Sequence, residues 1–148
     1  MHYLSTLGKT DSVDFKTALA AGLVPDGGLF VPEKIPTLSP ETLQRLPGLE
    51  LPQVAFEMLA PYLLGEVPED ELRTLLQDAL NFPIPTTPLH DNISMVELYH
   101  GPTLAFKDVA ARVMARLTSA LLPKEAHLTV LVATSGDTGS AVAHAYHN

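Results

Sequence analysis

Proline placement constrains this 148-residue chain more than any other feature. Of its 13 prolines, all but Pro102 and Pro123 lie between residues 25 and 88. Each removes a backbone donor and restricts the residue before it to extended geometry. Elements in such a stretch are expected to be short, with explicit stops. The chain therefore divides into a Pro-punctuated first half and a Pro-poor second half.

The first half reads as short elements with explicit stops. Ser12 to Ala21 is predicted helical and closed by Gly22, where glycine tolerates a left-handed backbone. Pro25-Asp26-Gly27-Gly28 is a turn. Ser39-Pro40-Glu41 supplies an N-cap, an N1 proline and a first-turn carboxylate, opening a helix that ends before Pro47-Gly48. Pro52 to Leu64 is apolar enough for a core helix, with Pro61 expected to bend or end it. In Pro68 to Leu80, residues Leu72, Leu75, Leu76, Ala79 and Leu80 recur at helical spacing, which predicts an amphipathic helix. Residues 81–92 carry three prolines and are expected to be a linker between a mostly helical subdomain, 1–80, and a second one, 93–148.

The second half repeats one pattern. Met95 to Tyr99 is a predicted strand, followed by His100-Gly101-Pro102-Thr103 and a helix from about Leu104 to Leu122. That helix is apolar at Phe106, Val109, Ala110, Val113, Leu117, Ala120 and Leu121. Leu128 to Ala133 is an almost unbroken apolar run, as in a strand buried on both faces of a parallel sheet. Thr134-Ser135-Gly136-Asp137-Thr138-Gly139 follows, then a small-residue helix. The fold class is thus α/β, a helical subdomain leading into the start of a βαβ open parallel sheet, with both loops at one carboxyl edge.

Composition narrows the partners. Nine Lys+Arg against 17 Asp+Glu give a net charge of −8, and no basic run is present, which argues against nucleic acid or an anionic membrane. No apolar run approaches a membrane span and no leader pattern opens the chain. With no cysteine, thiolate metal sites and a Cys nucleophile are excluded, and the expectation is a cytoplasmic protein. The six histidines do not fall at metal-ligand spacing; His144 and His147 share a helix face without an HExxH motif. Asp108 and Arg112 are spaced for an i, i+4 pair.

Two segments are suited to chemistry. The loop Thr134 to Gly139 joins a strand to a helix and offers free backbone N–H groups and the positive helix end, a pattern that binds anions. It is neither a Walker A loop nor GxGxxG, and a tight turn without a ligand is the alternative. Asp137 is out of place in an anion site unless it caps the helix or faces a proton donor. Lys107 lies in the first turn of a long helix beside Phe106 and Val109. A positive helix end and apolar neighbours favour the neutral amine, the form that condenses with aldehydes. The alternative is a lysine whose stem covers apolar surface while its head reaches water.

Three segments carry a resemblance. Glu97-Leu-Tyr-His-Gly-Pro-Thr-Leu-Ala-Phe-Lys107-Asp108 resembles the lysine segment of the threonine synthases, fold-type II pyridoxal-phosphate enzymes. Ala133-Thr-Ser-Gly-Asp-Thr-Gly139 resembles the same family's Ser-Gly-Asp/Asn-Thr-Gly loop. Tyr3-Leu4-Ser5-Thr6 and Gly22 to Pro32 resemble the N-terminal extension of its long bacterial and yeast type. The resemblance implies that Lys107 is the catalytic lysine holding pyridoxal 5'-phosphate, and that Asp137 lies near the cofactor's ring hydroxyl. It implies that Thr134, Ser135, Gly136, Thr138 and Gly139 receive the substrate carboxylate. The implied reaction converts O-phospho-L-homoserine and water to L-threonine and phosphate, in a form not controlled by S-adenosylmethionine. Family members are longer, so the chain is expected to be an N-terminal fragment, inactive alone, able to self-associate through an open sheet edge. A related phospho-lyase and a non-catalytic anion-binding module are the competing readings.

Overall fold

The computed structural model describes residues 1–147. The chain opens with β1 (Tyr3–Ser5), α1 (Phe15–Ala21) and β2 (Phe30–Pro32). Helices α2 (Pro40–Arg45), α3 (Leu51–Leu63) and α4 (Glu69–Ala79) follow, then β3 (Thr86–His90), β4 (Ile93–Val96), α5 (Lys107–Leu121) and α6 (Asp137–Tyr146).

The helix boundaries follow local chemistry. Asp14 caps α1 by accepting from the Thr17 N–H at 2.7 Å, and Gly22 ends it at φ 67°. Helix α1 therefore begins three residues after Ser12, the start read from the sequence. Ser39 caps α2 through the Thr42 N–H at 3.1 Å, and Pro40 sits at the tolerated N1 position. Pro61 is accommodated inside α3, which ends two residues later.

The core lies in the first half. Leu72, Leu76 and Ala79 of α4 are fully buried against Phe56, Ala60 and Leu63 of α3 and against Leu117 and Leu121 of α5. Each fully buried leucine contributes about 1.5–3 kcal/mol relative to an exposed one. Glu66, in the turn between α3 and α4, closes this layer over α1. Its two carboxylate oxygens accept from the N–H groups of Phe15 and Lys16, both at 2.7 Å.

Helix α5 is covered on more than one side, while Ala110, Met114, Ser119 and Ala120 stay exposed. Val109, Val113 and Leu117 look toward Phe15, Leu19, Leu59 and Tyr62 across an open apolar cleft of about 590 Å³. A second stripe, Ala111, Ala115 and Thr118, is also buried. Small residues there let α6 approach closely, and Ala141 of α6 is fully buried. The Tyr146 hydroxyl, at the end of α6, meets the Thr118 hydroxyl of α5 at 3.3 Å. The helices pack extensively, and with Ala145 and Tyr146 beside Ala115 and Thr118 this fits parallel axes. An antiparallel α6 would extend past the end of α5 with nothing to pack on. Lys107 and Asp137, which open the two helices, therefore lie toward the same side.

The strands depart from the sequence-based expectation. β1 pairs with β2 and β3 with β4, both antiparallel. The stretch 81–92, expected to be linker, contains β3, and the strand expected at Met95 to Tyr99 lies at 93–96 as its hairpin partner. The helix expected from Leu104 starts at Lys107, because Leu104 adopts φ 59°. Residues 128–133 form no strand, and Leu131 is 90% exposed. A strand exists only through a neighbour that takes its hydrogen bonds. No such neighbour lies beside 128–133 among the described residues. The architecture is mixed α/β, with both crossover helices in place and no parallel ladder among the described residues.

Candidate active site

The approach to Lys107 is built from the β3–β4 hairpin. The Thr87 hydroxyl on β3 donates to Glu97 Oε1 at 2.6 Å, and His100 Nε2 bonds Oε2 at 2.7 Å. Tyr99 stacks on the His100 ring with centroids 4.6 Å apart. The Thr87 hydrogen bond, followed by those of His100 and Tyr99, brings the Glu97 carboxyl down to about 2. The same contact with Glu97 pushes the Tyr99 phenol up.

From His100 the chain wraps across the start of α5. The Leu104 N–H donates to the Gly101 carbonyl at 3.0 Å, and the Asp108 N–H to the Ala105 carbonyl at 3.0 Å. Asp108, fully buried, reaches back over this turn. Its Oδ2 accepts from the Thr103 N–H at 2.9 Å and its Oδ1 from the Thr103 hydroxyl at 2.8 Å. Gly101 is required here, since a Cβ on it would stand 2.5 Å from Asp108 Oδ2. The expected Asp108–Arg112 pair does not form: Asp108 bonds Thr103, while Arg112 donates to the carbonyls of Ala79 and Asp78 and to Asn81 Oδ1. The carbonyls at the end of α4 are unpaired acceptors at a negative helix end and hold a guanidinium better than a carboxylate one turn away does.

Lys107 is the first residue of α5 and is half-buried. Its Nζ lies 4.5 Å from the centroid of the exposed Phe106 ring. Among the described residues no carboxylate lies within ion-pair distance of it.

The second loop presents Thr134, Ser135, Gly136 and Asp137 to solvent, with Thr138 and Gly139 half-buried in the first turn of α6. Gly136 is the N-cap at φ 147°, a conformation open to glycine, and its carbonyl accepts from the Ser140 N–H at 2.9 Å. No side chain caps α6. Asp137 is therefore not the cap but a first-turn carboxylate on the positive helix end. The first N–H groups of α6 are left for a ligand or water. A Cβ on Gly139 would sit 2.8 Å from the Thr134 methyl, so glycine lets the loop fold back on the helix. Among the described residues no hydrogen bond joins this loop to the segment 97–108; the parallel packing of α5 and α6 relates them.

Sequence reasoning missed the Thr87–Glu97–His100 cluster, whose members meet only once the hairpin closes. It also missed the Asp108 clamp, for which a threonine five residues before it, just after Gly101-Pro102, was the available signal.

Residues 2–80 match the family model described as threonine synthase N terminus. Threonine synthase of Haemophilus influenzae is 42% identical over 137 residues, covering 93% of this chain and 32% of that protein. Threonine synthase-like 2 of Pongo abelii is 40% identical over 148 residues, covering 95% and 31%. The crystal structure of PLP-bound threonine synthase from Brucella melitensis superposes with a TM-score of 0.93 at 38% identity, over 99% of this chain and 33% of that one. The chain spans about a third of the length of these relatives. Motif order, helix arrangement and backbone superposition agree, and the chain belongs to the threonine synthase family, whose N-terminal region it carries.

Proposed function

We propose that the full-length protein carrying this chain is a pyridoxal-phosphate-dependent threonine synthase. It converts O-phospho-L-homoserine and water to L-threonine and phosphate by γ-elimination and addition of water at Cβ. The observation that carries the reading is Lys107: a half-buried amine opening α5, free of carboxylate partners among the described residues, on a turn clamped by a buried side chain. The donor set fits the cofactor. Lys107 Nζ would hold its aldehyde carbon. The Asp137 carboxylate, exposed on the same side, would accept from its ring hydroxyl.

When bound, the cofactor supplies an electron sink for charge left on the substrate carbons. Lys107 Nζ moves protons to and from those carbons. Thr134, Ser135, Gly136, Thr138 and Gly139 hold the substrate carboxylate, with N–H groups and hydroxyls at an uncapped helix start. We assign 1–80 to the family's N-terminal subdomain and 93–148 to the beginning of the cofactor-binding domain. The chain alone carries the amine and one loop, so turnover is assigned to the full-length protein. Among the described residues no helix is long and apolar enough to cross a membrane, which fits a cytoplasmic enzyme. Exposed Leu128, Val130, Leu131 and Val132 give a separated chain a route to self-association.

Borohydride reduction of the full-length protein with pyridoxal phosphate is expected to place one pyridoxyl group on Lys107. Lys107→Ala should lose both the tag and the absorbance near ~420 nm expected of the lysine–cofactor linkage. A tag on another residue overturns the reading. A second reading is a threonine-synthase-like phospho-lyase acting on another phosphorylated hydroxy-amino acid. That enzyme would carry the same tag but release no threonine.

A further inference from the structure

We propose that Asp108 is a positioning residue for Lys107, setting the amine through the turn 101–106; this rests on the reading of Lys107 as the cofactor-holding lysine. Asp108 is 0% exposed, yet among the described residues no cation lies within ion-pair distance. A buried carboxylate is costly, and an apolar side chain would serve packing alone better. Its two oxygens are instead both spent on one residue, Thr103, through the backbone N–H and the hydroxyl.

Those two bonds hold the turn closed. Leu104, next in the chain, sits at φ 59°, which is disfavoured for a branched side chain and persists only where neighbours impose it. Gly101 lies so close to the Asp108 side chain that a Cβ on it would stand 2.5 Å from Oδ2. Thr103, Leu104 and Gly101 are thus locked onto Asp108, and Lys107 shares a peptide bond with it. Without the clamp, Leu104 is free to leave its left-handed conformation and the first turn of α5 loses its fixed start. The amine is then distributed over positions instead of held at one.

The clamp works through geometry, and substitutions separate that from charge. In Asp108→Asn the amide oxygen still accepts from the Thr103 N–H, and the amide N–H donates to the Thr103 hydroxyl, which also accepts. Asp108→Ala removes both bonds, and Thr103→Val removes one.

The experiment follows borohydride-trapped attachment of pyridoxal phosphate to Lys107 in the full-length protein, well below each variant's unfolding temperature. A misplaced reacting group is expected to slow attachment about 10- to 100-fold in Asp108→Ala. Asp108→Asn should attach at close to the wild-type rate with an unchanged pH midpoint, and Thr103→Val should fall between. Wild-type attachment by Asp108→Ala overturns the proposal, as does Asp108→Asn being as slow as Asp108→Ala. If Asp108→Ala does not fold, wild-type attachment by Thr103→Val overturns it. Failure of the wild-type protein to label at Lys107 refutes the underlying assignment instead, so the two failures are told apart by one control.

Discussion

The guanidinium of Arg112 donates through Nε to the carbonyl oxygen of Ala79 at 2.7 Å, joining the lysine-bearing helix to the end of α4. Nη2 adds the Asp78 carbonyl at 2.8 Å and Asn81 Oδ1 at 3.1 Å. Burial, and then the nearby Arg116, lower the Arg112 pKa from its ordinary value, which the facing carboxylates of Asp78 and Asp108 partly offset. Through this contact the first half of the chain holds α5 in place.

Arg112→Met keeps the apolar stem but leaves the last carbonyls of α4 without their donor. We expect a loss of about 2–4 kcal/mol, as for other buried charge-assisted hydrogen bonds. Urea unfolding should show a lower midpoint at unchanged slope. A midpoint within error of wild type would show that Arg112 does not hold α4 to α5.

Leu76 and Leu131 are alike in chemistry and opposite in burial, at 0% and 90% exposure. Leu76→Ala is expected to cost about 2–5 kcal/mol. Leu131→Ala should stay within about 0.5 kcal/mol. Thermal melts of the two variants of this 148-residue chain are the check, and equal shifts would refute the described burial.

Gly101→Ala places a methyl 2.5 Å from Asp108 Oδ2, where the neighbour is a bonded, fully buried carboxylate. We expect about 1–3 kcal/mol of destabilisation from overpacking. Amide exchange at Thr103 should accelerate in the same variant, because the carboxylate that accepts from it is displaced. Unchanged protection would show that the turn does not rest on Asp108.

Glu97 titrates in the folded protein at about 2, against an ordinary value of 4.5. A depressed carboxyl contributes stability above its unfolded value, and that contribution is lost as the pH falls through the folded one. Between these values the unfolded chain takes up a proton that the folded chain refuses. Thr87, Tyr99 and His100 are the groups facing it. Glu97→Gln should therefore flatten the fall in stability from about pH 4.5 to about pH 2. Carboxyl NMR titration giving an ordinary Glu97 midpoint would contradict the assignment.

The end of α1 and the start of α2 were legible in the residues because their causes are local. Gly22 ends α1 and Ser39 opens α2 through contacts reaching no more than four positions along the chain. The periodic leucines of α4 are buried as their spacing implied. Residues 128–133 form no strand among the described residues because apolar character is a property of a segment, whereas a strand is a property of a pair. The Asp108–Arg112 pair failed for a similar reason: spacing puts two charges within reach, but each found better partners.

By itself the sequence determined where α1 stops and α2 starts, which face of α4 is apolar, which family the chain resembles and which lysine is singled out, since each follows from residues a turn or a motif apart. Tertiary structure alone decided that Glu97 meets Thr87 and His100, that Arg112 closes α4 and that Asp108 clamps the turn before Lys107. Those choices depend on which donors and acceptors are left unpaired once water is excluded, and that is settled only when the layers pack.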